Sequence, residues 1–222
     1  MTRFLATVAM LAFPVAASAQ TFAAPEGCEP VLTVQQRGCL MVNVWQCAAD
    51  PEGDKWIGLF GQEGPRSIQR VDAEFQWIEA YKPSGTERLV VPAPDPASMT
   101  ELLANGLDTF EFVIAKPGGD ERNVGFDALT GLEVVIDGEP LLQTEFEGKT
   151  LSMDGVLMGE GTGRQYVSAK HRLFFFGESW DAQTPDEVTD LSPVEFIYPG
   201  EPGFFASKPK FECGVIESRF AR

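Results

Sequence analysis

The sequence predicts a mostly β protein, an antiparallel meander forming a barrel-like or sandwich domain with one short helix near residues 99–105. Three observations carry this. Apolar and polar residues alternate at period two along many short runs. Turn residues recur at about ten-residue intervals. No long stretches of helical period separate the strands, as a parallel sheet would require.

Residues 1–19 read as a secretory signal peptide, apart from the fold. Arg3 gives the positive start, Phe4 to Ala17 the apolar run, and Ala17-Ser18-Ala19 the small-residue cleavage site. The run is too short to span a bilayer, and no later stretch reaches spanning length. Cleavage near Ala19 leaves residues 20–222 as one disulfide-stabilised β domain, expected to be soluble in the periplasm or outside the cell.

Within that domain, Val31 to Gln36 and Leu40 to Cys47 are β-rich runs joined through Arg37-Gly38, and Trp56 to Phe60 follows an Asp-Pro-Gly turn. Val71, Ala73, Phe75 and Trp77 alternate with Asp72, Glu74 and Gln76, the signature of a half-buried strand. Arg88 to Val91 is a short strand, and Pro92 to Pro96 an extended loop. Ser98 and Glu101 form a capping box for a helix that ends at Asn105-Gly106.

The meander then resumes. Phe110, Phe112 and Ile114 share a face, as do Leu132, Val134 and Ile136, and Asp137-Gly138 signals a hairpin into Leu142, Thr144 and Phe146. Gly159 to Gly163 reads as a hairpin tip and Gln165 to Phe176 as the longest strand. Val194 to Tyr198 and Phe211 to Phe220 are the last two strands. About ten strands in all exceed a comfortable open sheet, which predicts closure or splitting.

Cys28, Cys39, Cys47 and Cys213 form an even set, as expected of disulfides in an exported chain. Cys39 and Cys47 sit on one predicted strand, about 26 Å apart at strand rise, too far to bond each other. One of them must therefore bond Cys213 and the other Cys28, which brings the two ends of the chain side by side. The spacing fits no metal site.

The chain carries 33 acidic and 17 basic residues, a net charge of −16. Residues 91–160 alone hold 14 acids against three bases. Nucleic-acid binding and adhesion to anionic bilayers need clustered cations and are not expected. The single histidine, His171, excludes a multi-histidine metal site. It falls mid-strand in the predicted pattern without a nucleophile elbow, which favours a hydrogen-bonded sheet residue over a general base. Asp50, Glu52 and Asp54 match the calcium-loop pattern only loosely, and the acids from Asp181 to Asp190 read as a solvated turn. Neither a metal nor a cofactor is expected.

The aromatic residues are the informative ones. Seventeen Phe and four Trp are many for this length. Phe174 to Phe176 place rings on both faces of a strand, and Gly203-Phe204-Phe205 puts rings in a loop, where they need cover. Phe174, Phe176, Phe205 and Trp77 are therefore the candidates for the wall or lid of an apolar site. The function expected is non-catalytic binding, in the periplasm, of an apolar small molecule or an envelope protein partner. The alternatives are an envelope carbohydrate hydrolase using carboxylates such as Glu74 and Glu79 beside Trp77, and a structural envelope protein without a ligand.

Overall fold

The computed structural model describes residues 21–181 and 184–214. The signal-peptide reading of residues 1–19 lies outside the described residues. The chain builds one 14-stranded antiparallel meander with a single short helix, as the sequence predicts.

Six strands come first: β1 Cys28–Gln36, β2 Leu40–Cys47, β3 Lys55–Gly61, β4 Gly64–Val71, β5 Trp77–Lys82 and β6 Gly85–Asp95. The helix α1, Met99–Asn105, follows. Its cap is the expected one: the Ser98 hydroxyl accepts the Glu101 amide, and Gly106 ends the helix in the left-handed region at φ 80°. Then come β7 Leu107–Ala115, β8 Glu121–Ile136, β9 Glu139–Ser152 and β10 Leu157–Ser168. The last four are β11 Leu173–Phe175, β12 Glu178–Asp181, β13 Thr184–Asp190 and β14 Pro193–Ile197.

Each strand from β1 to β10 pairs with its sequence neighbours, and β11 and β12 both pair with β10. The exception is β14, which returns to pair with β1, so the edges of the sheet are β13 and β14. Only Leu191 and Ser192 join those edges, so a sheet this wide must roll until they nearly meet. Among the described residues no ladder joins β13 to β14, and the two linking residues continue the ladders on either side, β12–β13 and β1–β14. The Leu191 amide donates to Gly177 O at 2.9 Å, and Ser192 O accepts from the Arg37 amide at 3.0 Å. The Phe196 amide donates to Asp137 at 2.9 Å, tying β14 to the β8–β9 turn.

Strands β1 and β2 are buried on both faces. Leu32, Val34, Val42 and Val44 pack with Leu141, Leu173, Phe175 and Phe196. The opposite face, carrying Thr33, Gln35, Met41, Asn43 and Trp45, is covered by residues 203–213, which cross it as a strap. The Phe205 amide donates to Thr33 and the Lys210 amide to Gln35, while Asn43 donates to Ala206 O. Disulfides Cys28–Cys47 and Cys39–Cys213 fix this arrangement, the second pinning the strap to the β1–β2 turn. Disulfides of this kind belong to chains that mature in an oxidising compartment.

Six local expectations are corrected, the simplest being that Pro92 to Asp95, expected in a loop, continues β6. The alternating run from Val71 to Trp77 is not a strand. The Asp72 carboxylate accepts the amides of Glu74 and Gln76, both at 2.9 Å, and Phe75 turns to φ 68°. An Asx turn thus defeats the period-two pattern. The strand expected over Gln165 to Phe176 breaks after Ser168, whose hydroxyl accepts the His171 amide at 3.2 Å, so His171 lies in a turn. Gly159 to Gly163 is not a hairpin tip. It is part of β10, in register with β9, while the acidic run after Trp180 forms the hairpin of β12 and β13. Finally, Phe211 to Gly214 form bends and turns where a strand was expected, and residues 215–220 lie outside the described residues.

Candidate functional site

A cavity of about 600 Å3 lies against one face of strands β7 to β10. The pairing register builds that face row by row. Asp108 sits opposite Asp127, and Asp127 opposite Phe146. In the next row Phe110 faces Gly125, Gly125 faces Gly148, and Gly148 faces Gly161. Phe112, Asn123, Thr150 and Gly159 make the third row.

Gly148 and Gly161 line the cavity and leave it open, while Gly125 accommodates a close approach of neighbouring backbone and the Phe110 ring. A β-carbon on Gly125 would stand 2.2 Å from Glu147 O and 2.6 Å from the Phe110 ring, whereas one on Gly161 would meet only Phe146 at 3.7 Å. Glycine in a strand interior weakens the sheet and marks close approach of another group. Here it lets Phe110 and Phe146 border open volume.

The Asx turn at Asp72 delivers Phe75 and Trp77 to the same cavity, and the segment after β10 delivers Phe174 and Phe176. Phe75 and Phe174 meet at a tilt of 53° with ring centroids 5.0 Å apart, and Trp77 meets Phe112 edge-on at 5.6 Å. Trp77 and Phe176 are each 44% exposed, which sets them at the mouth. The structure therefore brings Trp77, Phe174 and Phe176 together. Phe205 lies elsewhere: it belongs to the strap and is buried against Phe22 and Trp45.

Five acidic residues line the cavity, Glu74, Asp108, Asp127, Glu160 and Glu178, and two of them have strongly raised pKa values. Burial pushes Asp127 up to about 6 from its ordinary 3.8, against the hydrogen bond from Gln165 Nε2 at 2.7 Å and with the charge of Asp108 adding to the rise. Burial likewise raises Asp108 to about 6, opposed by the Ser98 amide and reinforced by Asp95, Glu101 and Glu74. The cavity can therefore change charge in mildly acidic solution while its aromatic walls are unaffected. Asp108 had a signal in the sequence, since it shares the apolar phase of Phe110 and Phe112. Asp127 is legible only through the β7–β8 register.

The other chemical candidates are engaged in structure. His171 Nε2 meets the Tyr198 hydroxyl at 3.1 Å and lies 3.5 Å from Glu139, and burial lowers its pKa, which keeps it neutral near pH 7. Ser168 is fully buried and donates to Glu139, and the contact His171 makes to its hydroxyl is through the backbone amide. The histidine ring is thus not placed to activate the serine. Glu79 binds Arg70 at 3.0 Å, and Glu74 binds Arg172 at 2.7 Å and Thr100. Asp50 accepts the Trp56 indole N–H, and Asp54 holds Arg70. Among the described residues, no group of three or more His, Cys, Asp or Glu side chains is arranged to hold a metal, and no helix is long and apolar enough to cross a membrane.

No protein-family model matches the chain, and no curated protein matches it either. Among solved structures it is similar to the hypothetical lipoprotein YmcC of Escherichia coli, with 12% identity and a TM-score of 0.38 over 77% of this chain and 88% of that one. A likeness this loose carries no argument about function.

Proposed function

We propose that this protein is a non-catalytic binding protein of the bacterial periplasm, exported by its N-terminal signal peptide, that holds an apolar small molecule. The observation that carries the reading is the cavity of about 600 Å3, within the size range of small-molecule sites and walled by Phe75, Trp77, Phe110, Phe112, Phe146 and Phe174. Transfer of an apolar guest from water into such a space is favourable at about 25 cal/mol per Å2 of surface removed from water. The rings line a concavity rather than a flat patch, which favours a small molecule over an envelope protein partner. Glu74 and Glu79 are each bound to an arginine, which argues against the carbohydrate hydrolase.

The test is native mass spectrometry of protein taken from a periplasmic extract, with titration of an apolar fluorescent dye into the wild type and Gly161→Leu. A leucine at Gly161 projects into the cavity with little hindrance. A co-purifying apolar adduct, and dye affinity falling about tenfold or more in a variant that still folds, is the expected result. Wild-type protein that carries no adduct and takes up no dye refutes the proposal.

A further inference from the structure

The buried polar side chains of β1 and β2 divide sharply. Thr33 donates to Asn43 at 2.6 Å, Asn43 donates to Ala206 O at 2.8 Å, and Gln35 uses both ends of its amide, toward Met41 and the Lys210 amide. Gln36 is just as buried, at 0% exposure, yet neither its Nε2 nor its Oε1 has a partner. An orphaned buried amide costs about 1–3 kcal/mol per unsatisfied group, and an aliphatic residue would fill the position without that penalty.

Gln36 lies in phase with Leu32 and Val34 and borders a second cavity of about 160 Å3, whose other walls include Val42, Val44, Ile57 and Leu173. The two cavities share Phe75, Trp77, Gln165, Phe174 and Phe176 as walls, so they adjoin, and an elongated molecule reaching from one to the other would pass between these side chains. A free primary amide offers N–H donors and a carbonyl acceptor, and its complement is a group that both donates and accepts. The five acids that line the larger cavity outnumber Lys149 and Arg164 there, and with the net charge of −16 they disfavour an anionic guest. An ammonium head could not accept from Nε2.

We infer that the ligand is an uncharged amphiphile with a hydroxyl or amide head, and that Gln36 receives that head while the aromatic cavity holds the apolar body. This rests on the binding reading above and specifies the class of ligand.

The experiment compares wild type with Gln36→Leu, using displacement of an apolar fluorescent dye by 1-decanol, decanamide and decane. The expected result is that Gln36→Leu weakens 1-decanol and decanamide about tenfold and leaves decane within about twofold. The ligand-free variant should melt no lower than wild type, because the lost amide had no protein partner. Equal loss for all three probes, or no loss for any, overturns the assignment; the second outcome means that water only satisfies Gln36. Wild-type protein that binds none of the probes overturns the cavity reading as well, whereas wild type that binds decane and 1-decanol with Gln36→Leu unchanged removes only the head-group assignment. Gln36→Met, of matched length, gives the same readout if the leucine variant does not fold.

Discussion

The face of β1 and β2 beneath the strap and the cavity face of β7 to β10 are built from the same kind of meander and reach opposite ends. Under the strap, Thr33, Gln35, Asn43 and Trp45 are all buried, as is Phe205 of the strap itself, and the polar members are hydrogen-bonded. Two disulfides close the region. On the cavity face the register aligns glycines across three strands and leaves rings bordering open volume, with two carboxyls raised above their ordinary range. The first region has the features of a scaffold, with its polar groups satisfied and its volume filled. The second departs from those rules together, and such joint departures concentrate at functional sites.

The largest test of this contrast removes the covalent pin of the scaffold. Cys39 and Cys213 are 174 residues apart, and Cys28 and Cys47 only 19. On the chain-entropy model the long closure contributes roughly 5 kcal/mol and the short one roughly 3 kcal/mol. The paired replacement of Cys39 and Cys213 by serine should therefore cost more in denaturant melts than the same replacement at Cys28 and Cys47. It should also release the strap, seen as faster hydrogen exchange at Phe205 and Lys210, whose amides bond Thr33 and Gln35. Equal costs for the two pairs would break the distinction between strap and sheet.

Much of the scaffold was legible in the sequence because its signals are local. The β1–β2 hairpin follows from Arg37-Gly38, the helix from Ser98 and Glu101, and the exclusion of a Cys39–Cys47 bond from strand rise. The errors were also local, where a side chain captured the backbone: Asp72 took two amides and made a turn of an alternating run, and Ser168 did the same before His171. The cavity was legible only in part. Trp77, Phe174 and Phe176 stood out as costly rings, but Gly125, Gly148 and Gly161 lie far apart in the chain and align only once β8, β9 and β10 are in register. Asp127 and Gln36 were missed for the same reason, since what makes each notable is the neighbour it has or lacks across strands.

A smaller effect of opposite sign belongs to the cavity. Asp127 holds its proton up to about 6 in the fold and ordinarily loses it near 3.8. Below both values folded and unfolded chains are equally protonated and the carboxyl costs nothing. As pH rises through this window the unfolded chain sheds its proton first, so stability falls, and above about pH 6 the full penalty of about 2–3 kcal/mol applies. Asp127→Asn keeps an acceptor for Gln165 and removes the charge that Asp108 opposes. The variant should melt several degrees higher than wild type at about pH 8 and match it at about pH 3.5. A uniform change at both pH values would mean that the carboxyl acts through packing rather than through its proton.

The smallest effect tests whether the two regions open independently. The Ser98 hydroxyl caps α1 by accepting the Glu101 amide at 3.1 Å, and the Ser98 amide holds Asp108 at 3.0 Å. Met99 and Leu102 of that helix pack on Val167, close to Phe75 and Phe174 of the cavity wall. Ser98→Ala removes the cap and leaves the backbone bond to Asp108 intact, so the expected cost is about 1 kcal/mol, borne by a helix of only two turns. Amide hydrogen exchange should quicken in α1, at Leu102 above all, whose N–H reaches Ser98 O at 3.0 Å, and remain unchanged at Phe205 and Lys210, whose amides tie the strap to Thr33 and Gln35. Faster exchange in both places would mean that the cavity wall and the scaffold open as one cooperative unit, and the separation of a rigid frame from a yielding site would fail.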